Sequence, residues 1–262
     1  MHLVTFFDRR GRWQAAARRL VRAAIATGKF ATITALHDGD LATTFPTQMA
    51  RVIDLSTLAP QGFGAWAWKP LVAKYALSTH SEGDVVFYLD AGCSLNFDSE
   101  AARSRFDGYL EMVERDSFLF FQQALLERDY TDPAVLEEFG HDPEVSETGQ
   151  LLGGIWALKV SSVTKDFAEE WWRLASKNDF RLLRGESKVA QHRHRHDQSI
   201  LSCLAKTKRL PSIPDETYFS PDWELFGRKF PIWATRLRLP FQHGYRGSIF
   251  WRLVRLVDRL VH

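Results

Sequence analysis

The run Asp84-Val85-Val86-Phe87-Tyr88-Leu89-Asp90-Ala91-Gly92-Cys93 decides the fold. Its first half is a continuous, largely apolar stretch rich in β-branched and aromatic side chains, the content of a strand buried on both faces. It stops at Asp90, and Ala91-Gly92 lets the backbone turn sharply and a ligand come close. In open α/β sheets ligands gather at the carboxyl ends of strands, so Asp90 is the first candidate for function. Taken alone, it reads equally well as an aspartate capping a turn.

Working outward, Leu3 to Phe7 reads as a strand, and Trp13, Ala17, Leu20, Val21 and Ala24 recur at helical spacing until Gly28. Phe30 to Leu36 reads as a second strand before a polar turn at His37 to Asp40, and Arg51 to Leu55 as a third, short one. Pro70 suits the first turn of a helix running to about Thr79. Residues 100–115 read as helix, Phe118 to Phe121 as strand, and Leu151 to Val160 as one strand containing two glycines. Val163, Phe167, Trp171 and Leu174 mark one face of a helix, and Ile200, Cys203 and Leu204 mark one after His196. Strands alternating with helices predict an α/β fold, a Rossmann-like, mainly parallel mixed sheet with helices on both faces. A single domain is expected over residues 1–247, followed by a basic amphipathic helix over 248–262. In that helix Ile249, Phe250, Leu253, Val254, Leu256, Val257, Leu260 and Val261 oppose Arg252, Arg255 and Arg259.

With 262 residues, 45% hydrophobic and 25% charged, the chain supports one substantial core. The net charge of +2 conceals local concentrations of basic residues, at Arg9 to Arg22, Arg193 to His196 and beyond Arg228. That distribution points to nucleic acid only weakly, and no nucleic-acid partner is expected. Cys93 and Cys203 form neither a disulfide framework nor a zinc knuckle, which fits a reducing compartment. No stretch nears the roughly 20 apolar residues of a membrane span, and the N-terminus lacks the layout of a signal peptide. The expectation is a cytoplasmic protein, peripheral to the inner face of the plasma membrane.

Two further segments bring chemistry. Gly62-Phe63-Gly64-Ala65-Trp66-Ala67-Trp68-Lys69-Pro70 precedes the strand, and His196-Asp197-Gln198-Ser199-Ile200-Leu201 follows it by a hundred residues. Lys69 beside a glycine-rich turn suits phosphate recognition. Asp197 reads either as a residue at a polar helix start or as an acceptor for two sugar hydroxyls, with Gln198 beside a developing oxocarbenium ion. Arg195 can meet a departing diphosphate bidentately, and His196 adjoins it. His192 and His194 read as solvated loop residues. Trp66 and Trp68 have rings that can stack on a base or a sugar face, but packing is expected for one of them, and the sequence does not say which.

In this order the three segments resemble a group of bacterial and viral GT-A glycosyltransferases with G-x-G-x-W-x-W-K-P before a Y-x-D-A-G-C strand end, over about residues 1–205. More distantly the chain is similar to the family-8 retaining glycosyltransferases, whose strand ends Y-L-D-x-D. Asp90 matches the first of those aspartates, and Gly92 stands where the second would be. The resemblance implies a divalent cation, manganese or magnesium, on Asp90, with His243 from a C-terminal segment as a further ligand. It implies donor-sugar binding by Asp197 and Gln198, which match the D-Q of the family's D-Q-D, and nucleoside contact by Asp8 just past the first strand. Gln150, before Leu151-Leu152-Gly153-Gly154, is placed near donor or acceptor sugar.

The function expected is transfer of a hexose or related sugar, with retention, from a nucleotide diphosphate sugar to a glycan or glycolipid acceptor in surface polysaccharide biosynthesis. The C-terminal helix would meet an anionic membrane surface. The alternatives are a non-catalytic sugar- or nucleotide-binding scaffold that lost its second aspartate, or a nucleotidyltransferase. The latter fits less well because Phe7-Asp8-Arg9-Arg10-Gly11-Arg12 carries one glycine only.

Overall fold

The computed structural model describes residues 1–238 apart from 12, 187–193 and 221. Strands β1 (His2–Phe7), β2 (Thr32–His37) and β3 (Val85–Leu89) run parallel side by side, with β1 in the middle. A two-residue β4 (Ser94–Leu95) follows the Asp90 turn. Next come β5 (Phe118–Leu126), β6 (Gly149–Leu151), β7 (Ile155–Lys159) and β8 (Ser212–Pro214), which complete a seven-stranded sheet ordered β2-β1-β3-β7-β5-β6 with β8 on β5. β7 is antiparallel to β3 and β5, and β6 to β5, while β8 is parallel to β5. Five strands therefore point one way and two the other, the mainly parallel mixed sheet that was expected. A final strand, β9 (Ile232–Trp233), pairs with β4 in a small second sheet.

Alternate strand residues feed two cores, as strand geometry requires. Val4, Phe6, Val86, Tyr88, Trp156 and Leu158 face helices α3 (Pro46–Leu58), α4 (Lys69–Thr79), α6 (Ser162–Ala175) and α7 (Asp197–Thr207). Leu3, Val85, Phe87, Leu89, Ile155 and Ala157 face α1 (Gln14–Thr27) and α5 (Glu100–Asp116). Helices thus cover both faces.

Three local expectations fail. Arg51 to Leu55 lies inside α3, where Met49, Val52 and Leu55 bury one helical face and Pro46 opens the first turn. His37 to Asp40 is a helix start, with His37 capping α2 (Asp38–Thr44) through Gly39 and Asp40 amides. Leu151 to Val160 is two strands, since Leu152 to Gly154 turns between β6 and β7. On α6, Phe167, Trp171 and Leu174 are buried as the spacing predicts, but Val163 in the first turn is exposed.

The segment before α4 is the most unusual backbone in the chain. Gly62, Phe63, Gly64, Ala65 and Trp66 all have positive φ, at 61, 54, 78, 52 and 60°. This is a left-handed turn, costing roughly 1–2 kcal/mol for each non-glycine residue. Packing overrides that cost. The Trp68 indole N–H donates to the Gly62 carbonyl at 2.9 Å, and its ring stacks on Phe6 at 3.9 Å. A Cβ at Gly62 would stand 2.3 Å from the Trp66 ring, and one at Gly64 3.0 Å from the Val52 carbonyl oxygen. Gly62→Ala is therefore expected to cost roughly 2–4 kcal/mol, from strain plus overcrowding, and thermal denaturation should show a melting temperature lower by roughly 5–15 °C.

Candidate active site at the strand ends

The left-handed turn delivers Lys69 into the protein at the carboxyl edge of the sheet. Its side chain is buried, and its Nζ lies 3.2 Å from Asp90 Oδ1, 3.3 Å from Asp197 Oδ2 and 3.1 Å from the Gly153 carbonyl. The three segments singled out in the sequence thus meet at one ammonium. Burial alone would lower the Lys69 pKa, but Asp197 and Asp90 hold it above the ordinary value, so the ammonium keeps its charge.

Asp90 sits at the end of β3, where its amide donates to the Gly154 carbonyl at 2.8 Å and the Tyr88 hydroxyl donates to its Oδ1 at 2.6 Å. Gly154 is glycine because a Cβ there would stand 2.5 Å from Asp90 Oδ2. The Asp90 side chain is 41% exposed, against 5% for Lys69 and Asp197, so it forms the wet face of the cluster. Asp197 opens α7. Burial raises its pKa to about 7, with Lys69 opposing the rise and Asp90 adding to it. Its Oδ2 makes the ion pair with Lys69 and no hydrogen bond among the described residues.

His196 before it has φ 53° and ψ −118°, an unfavourable conformation for a side-chain-bearing residue. Its Nδ1 lies 2.9 Å from the Leu183 carbonyl and its ring 5.5 Å from that of Trp66, while burial lowers its pKa. Trp68 is thus buried in the core, and Trp66 packs partly buried against that core and against His196. His194 departs from expectation. It is buried between the Asp132 amide (3.2 Å) and the Leu182 carbonyl (3.0 Å), and burial lowers its pKa to about 4. His192 lies outside the described residues.

Gln198 accepts from the Gly153 amide at 3.1 Å and donates to Gln123 Oε1 at 3.1 Å and Gln150 Oε1 at 2.7 Å. Gln150 is fully buried, so it stands behind the site and not on its surface. Its amide nitrogen faces Glu127 Oε2 (3.0 Å), Thr131 Oγ1 (2.8 Å) and Ser199 Oγ (3.1 Å). An ionised carboxylate only accepts. Glu127, paired with Lys206 at 3.0 Å, therefore fixes which way Gln150 points, and Gln150 fixes Gln198. The Gln198 oxygen is left with one lone pair beyond its bond to Gly153. Sequence reasoning missed Glu127, although it closes the run of β5 as Asp90 closes that of β3.

Arg195 is exposed, with its guanidinium 5.1 Å from the Tyr130 ring centre. Asp8 lies off the same sheet edge as Asp90, past β1. Burial raises its pKa, and the Gly11 amide bonds to it in opposition. His243 lies outside the described residues.

A divalent cation needs several hard oxygen or nitrogen donors. Among the described residues no three His, Cys, Asp or Glu side chains come together to hold one. Asp90 is already shared between an ammonium and a hydroxyl. At Gly92 a Cβ would stand 2.9 Å from the Arg236 Cα and 2.9 Å from the Trp13 ring, so a second acid has no room. Among the described residues this turn therefore offers the implied cation one exposed carboxylate, Asp90, in place of a pair.

The raised Asp197 pKa fixes a sign. Between about pH 4, where an unfolded aspartate ionises, and pH 7, the unfolded chain has released a proton that the folded chain keeps. Stability from this group is full below that window and is lost as pH rises through it. Melting curves of wild type and Asp197→Asn across pH 4 to 8 are expected to show wild type losing ground to the variant up to about pH 7 and levelling off above.

No family model matches the sequence, and no curated protein matches it. Solved structures similar to it include mouse xyloside xylosyltransferase 1 in its apo form, 14% identical with TM-score 0.46 over 83% of this chain and 86% of that one. The bifunctional glycosyltransferase WbbM, also apo, is 12% identical with TM-score 0.46 over 83% of this chain and 39% of its own. The galactosyltransferase LgtC with donor and acceptor sugar analogs is 12% identical with TM-score 0.42 over 84% of this chain and 75% of its own. All three are glycosyltransferases, and at this overlap the likeness assigns no residue a role.

Proposed function

We propose that the protein transfers a glycosyl group from a nucleoside diphosphate sugar to a glycan or glycolipid acceptor. The observation that carries this reading is the convergence of Asp90, Asp197 and the Gln198 shell on the buried Lys69 ammonium at the carboxyl edge of the sheet. The leaving group is a diphosphate, so the chemistry asks for positioning and charge more than for a strong acid. In this reading Gln198 presents its remaining oxygen lone pair to the anomeric carbon, and Asp90 takes a donor hydroxyl from its exposed side. Lys69 supplies fixed positive charge behind both carboxylates, and Asp8 lies on the nucleoside side. Retention of configuration, on the strength of the Asp197-Gln198 match, and a hexose donor and a role in surface polysaccharide synthesis, on the strength of the resemblance as a whole, complete the proposal.

The test is release of UDP or GDP from a panel of nucleotide sugars, with and without oligosaccharide acceptors. Nucleotide binding with no turnover on any donor would leave a binding scaffold. Gln198→Ala is expected to lower kcat by about a hundredfold or more with little change in nucleotide affinity. Glu127→Gln lets the Gln150 amide turn over and should lower kcat by about tenfold or more at unchanged nucleotide affinity. Wild-type kinetics in both variants would remove this shell from the reaction.

Among the described residues no helix is long and apolar enough to cross a membrane. Residues 248–262 lie outside them, and their basic amphipathic pattern is what supports contact with an anionic inner membrane surface. Full-length protein is expected to co-sediment with phosphatidylserine liposomes, and a truncation after Gly247 to remain in the supernatant. Equal binding by both would place the contact elsewhere.

A further inference from the structure

The turn at Asp90 is crossed by a segment from the far end of the described chain. Thr235 Oγ1 donates to the Gly92 carbonyl at 2.8 Å and also meets Ser94 Oγ at 3.0 Å, and the Leu237 amide donates to the same Gly92 carbonyl at 3.0 Å. The buried guanidinium of Arg19 joins both pieces, donating to the carbonyls of Leu237 (3.0 Å), Ala91 (3.1 Å) and Cys93 (2.9 Å). Between the two anchored residues stands Arg236. Its Cα occupies the space that a side chain at Gly92 would need.

Arg236 has φ 56°, a left-handed conformation disfavoured by roughly 1–2 kcal/mol. Thr235 and Leu237 are both tied to Gly92, and that is what holds the strained residue between them in place. Its side chain is exposed, with the guanidinium 5.8 Å from the Tyr218 ring centre and no acid paired to it among the described residues. The other cations of the turn are committed: Arg19 to carbonyls, Lys69 to two carboxylates. The buried thiol of Cys93 is raised mainly by its burial and by Asp90, with Arg19, Lys69 and Arg236 opposing the rise.

We propose that Arg236 binds the donor diphosphate directly, with Lys69 as the fixed cation behind Asp90, and that nucleotide binding at this turn requires no divalent cation. The inference rests on the glycosyl-transfer reading and specifies how that site meets its phosphates. A planar guanidinium offers two parallel N–H donors to phosphate oxygens. The Arg236 backbone stands where the side chain of a second acid at position 92 would otherwise be, so the crossing segment excludes that ligand and brings an arginine to the turn.

The test is titration calorimetry of the full-length protein with UDP and with GDP, in EDTA and in excess manganese, for wild type, Arg236→Ala and Arg236→Gln. The favoured nucleotide is expected to bind wild type with the same affinity within about twofold in both buffers. Both variants should bind it about tenfold or more weakly, with unchanged melting temperatures. Binding seen only with manganese would overturn the inference and leave the glycosyl-transfer reading standing. Wild-type affinity in both variants would overturn it as well. If neither nucleotide bound under either condition, the inference and the reading beneath it would fall together.

Discussion

Everything in the site depends on one buried ammonium with two carboxylates. Lys69 is 4% exposed, and a charge at that depth is tolerated only when it is paired and hydrogen-bonded. Asp90 and Asp197 provide the pairing, and the Gly153 carbonyl provides a further bond. Because these partners come from β3, α7 and the β6–β7 turn, the requirement to neutralise Lys69 locks three distant parts of the chain into one geometry. Asp197 is the buried charge partner, and removing such a partner costs roughly 3–5 kcal/mol where breaking a buried pair has been measured. The same arrangement leaves Asp90 as the cluster's exposed carboxylate, so one side chain both neutralises Lys69 and faces solvent.

Behind this cluster the protein spends its polar groups on orientation. An amide side chain can point either way unless its neighbours forbid one choice. Glu127 forbids it for Gln150, and Gln150 with Gln123 forbids it for Gln198, so a direction is passed from a buried ion pair to Gln198 through two amides. Such a chain is rigid only when every member is satisfied.

Much of this was legible in the sequence. Val85 to Leu89 announced a two-sided buried strand, and Asp90 followed from it by the rule that ligands gather at strand ends. The three motif segments stand out together in the sequence, and Lys69 stands out by its charge. What the sequence could not carry was the partner of that charge. Its position beside a glycine-rich turn suggested phosphate, whereas folding turns it inward to two carboxylates. Gln150 was selected by adjacency to Gly153, but strand alternation sends it into the interior. Arg51 to Leu55 has the residues of a strand and the three-residue spacing of a helix, and burial of Met49, Val52 and Leu55 decided in favour of the helix. The position of Arg236 beside this turn leaves no signature in the sequence because its neighbours are held by a carbonyl of Gly92, 144 positions before Arg236, and a backbone carbonyl leaves no mark on residue type.

The left-handed turn at Gly62 to Trp66 has a kinetic meaning. Its handedness opposes the intrinsic preference of L-amino acids, so the isolated segment carries no local bias toward its native shape. It can persist only after Phe6 on β1 and Val52 on α3 are present to receive Trp68 and the glycine backbone. A compact intermediate with sheet and helices formed but side chains not yet interlocked would therefore hold Lys69 nowhere in particular. Competence should emerge at the final step of condensation, all at once, and a partly assembled chain would possess the scaffold of the site while having none of its chemistry.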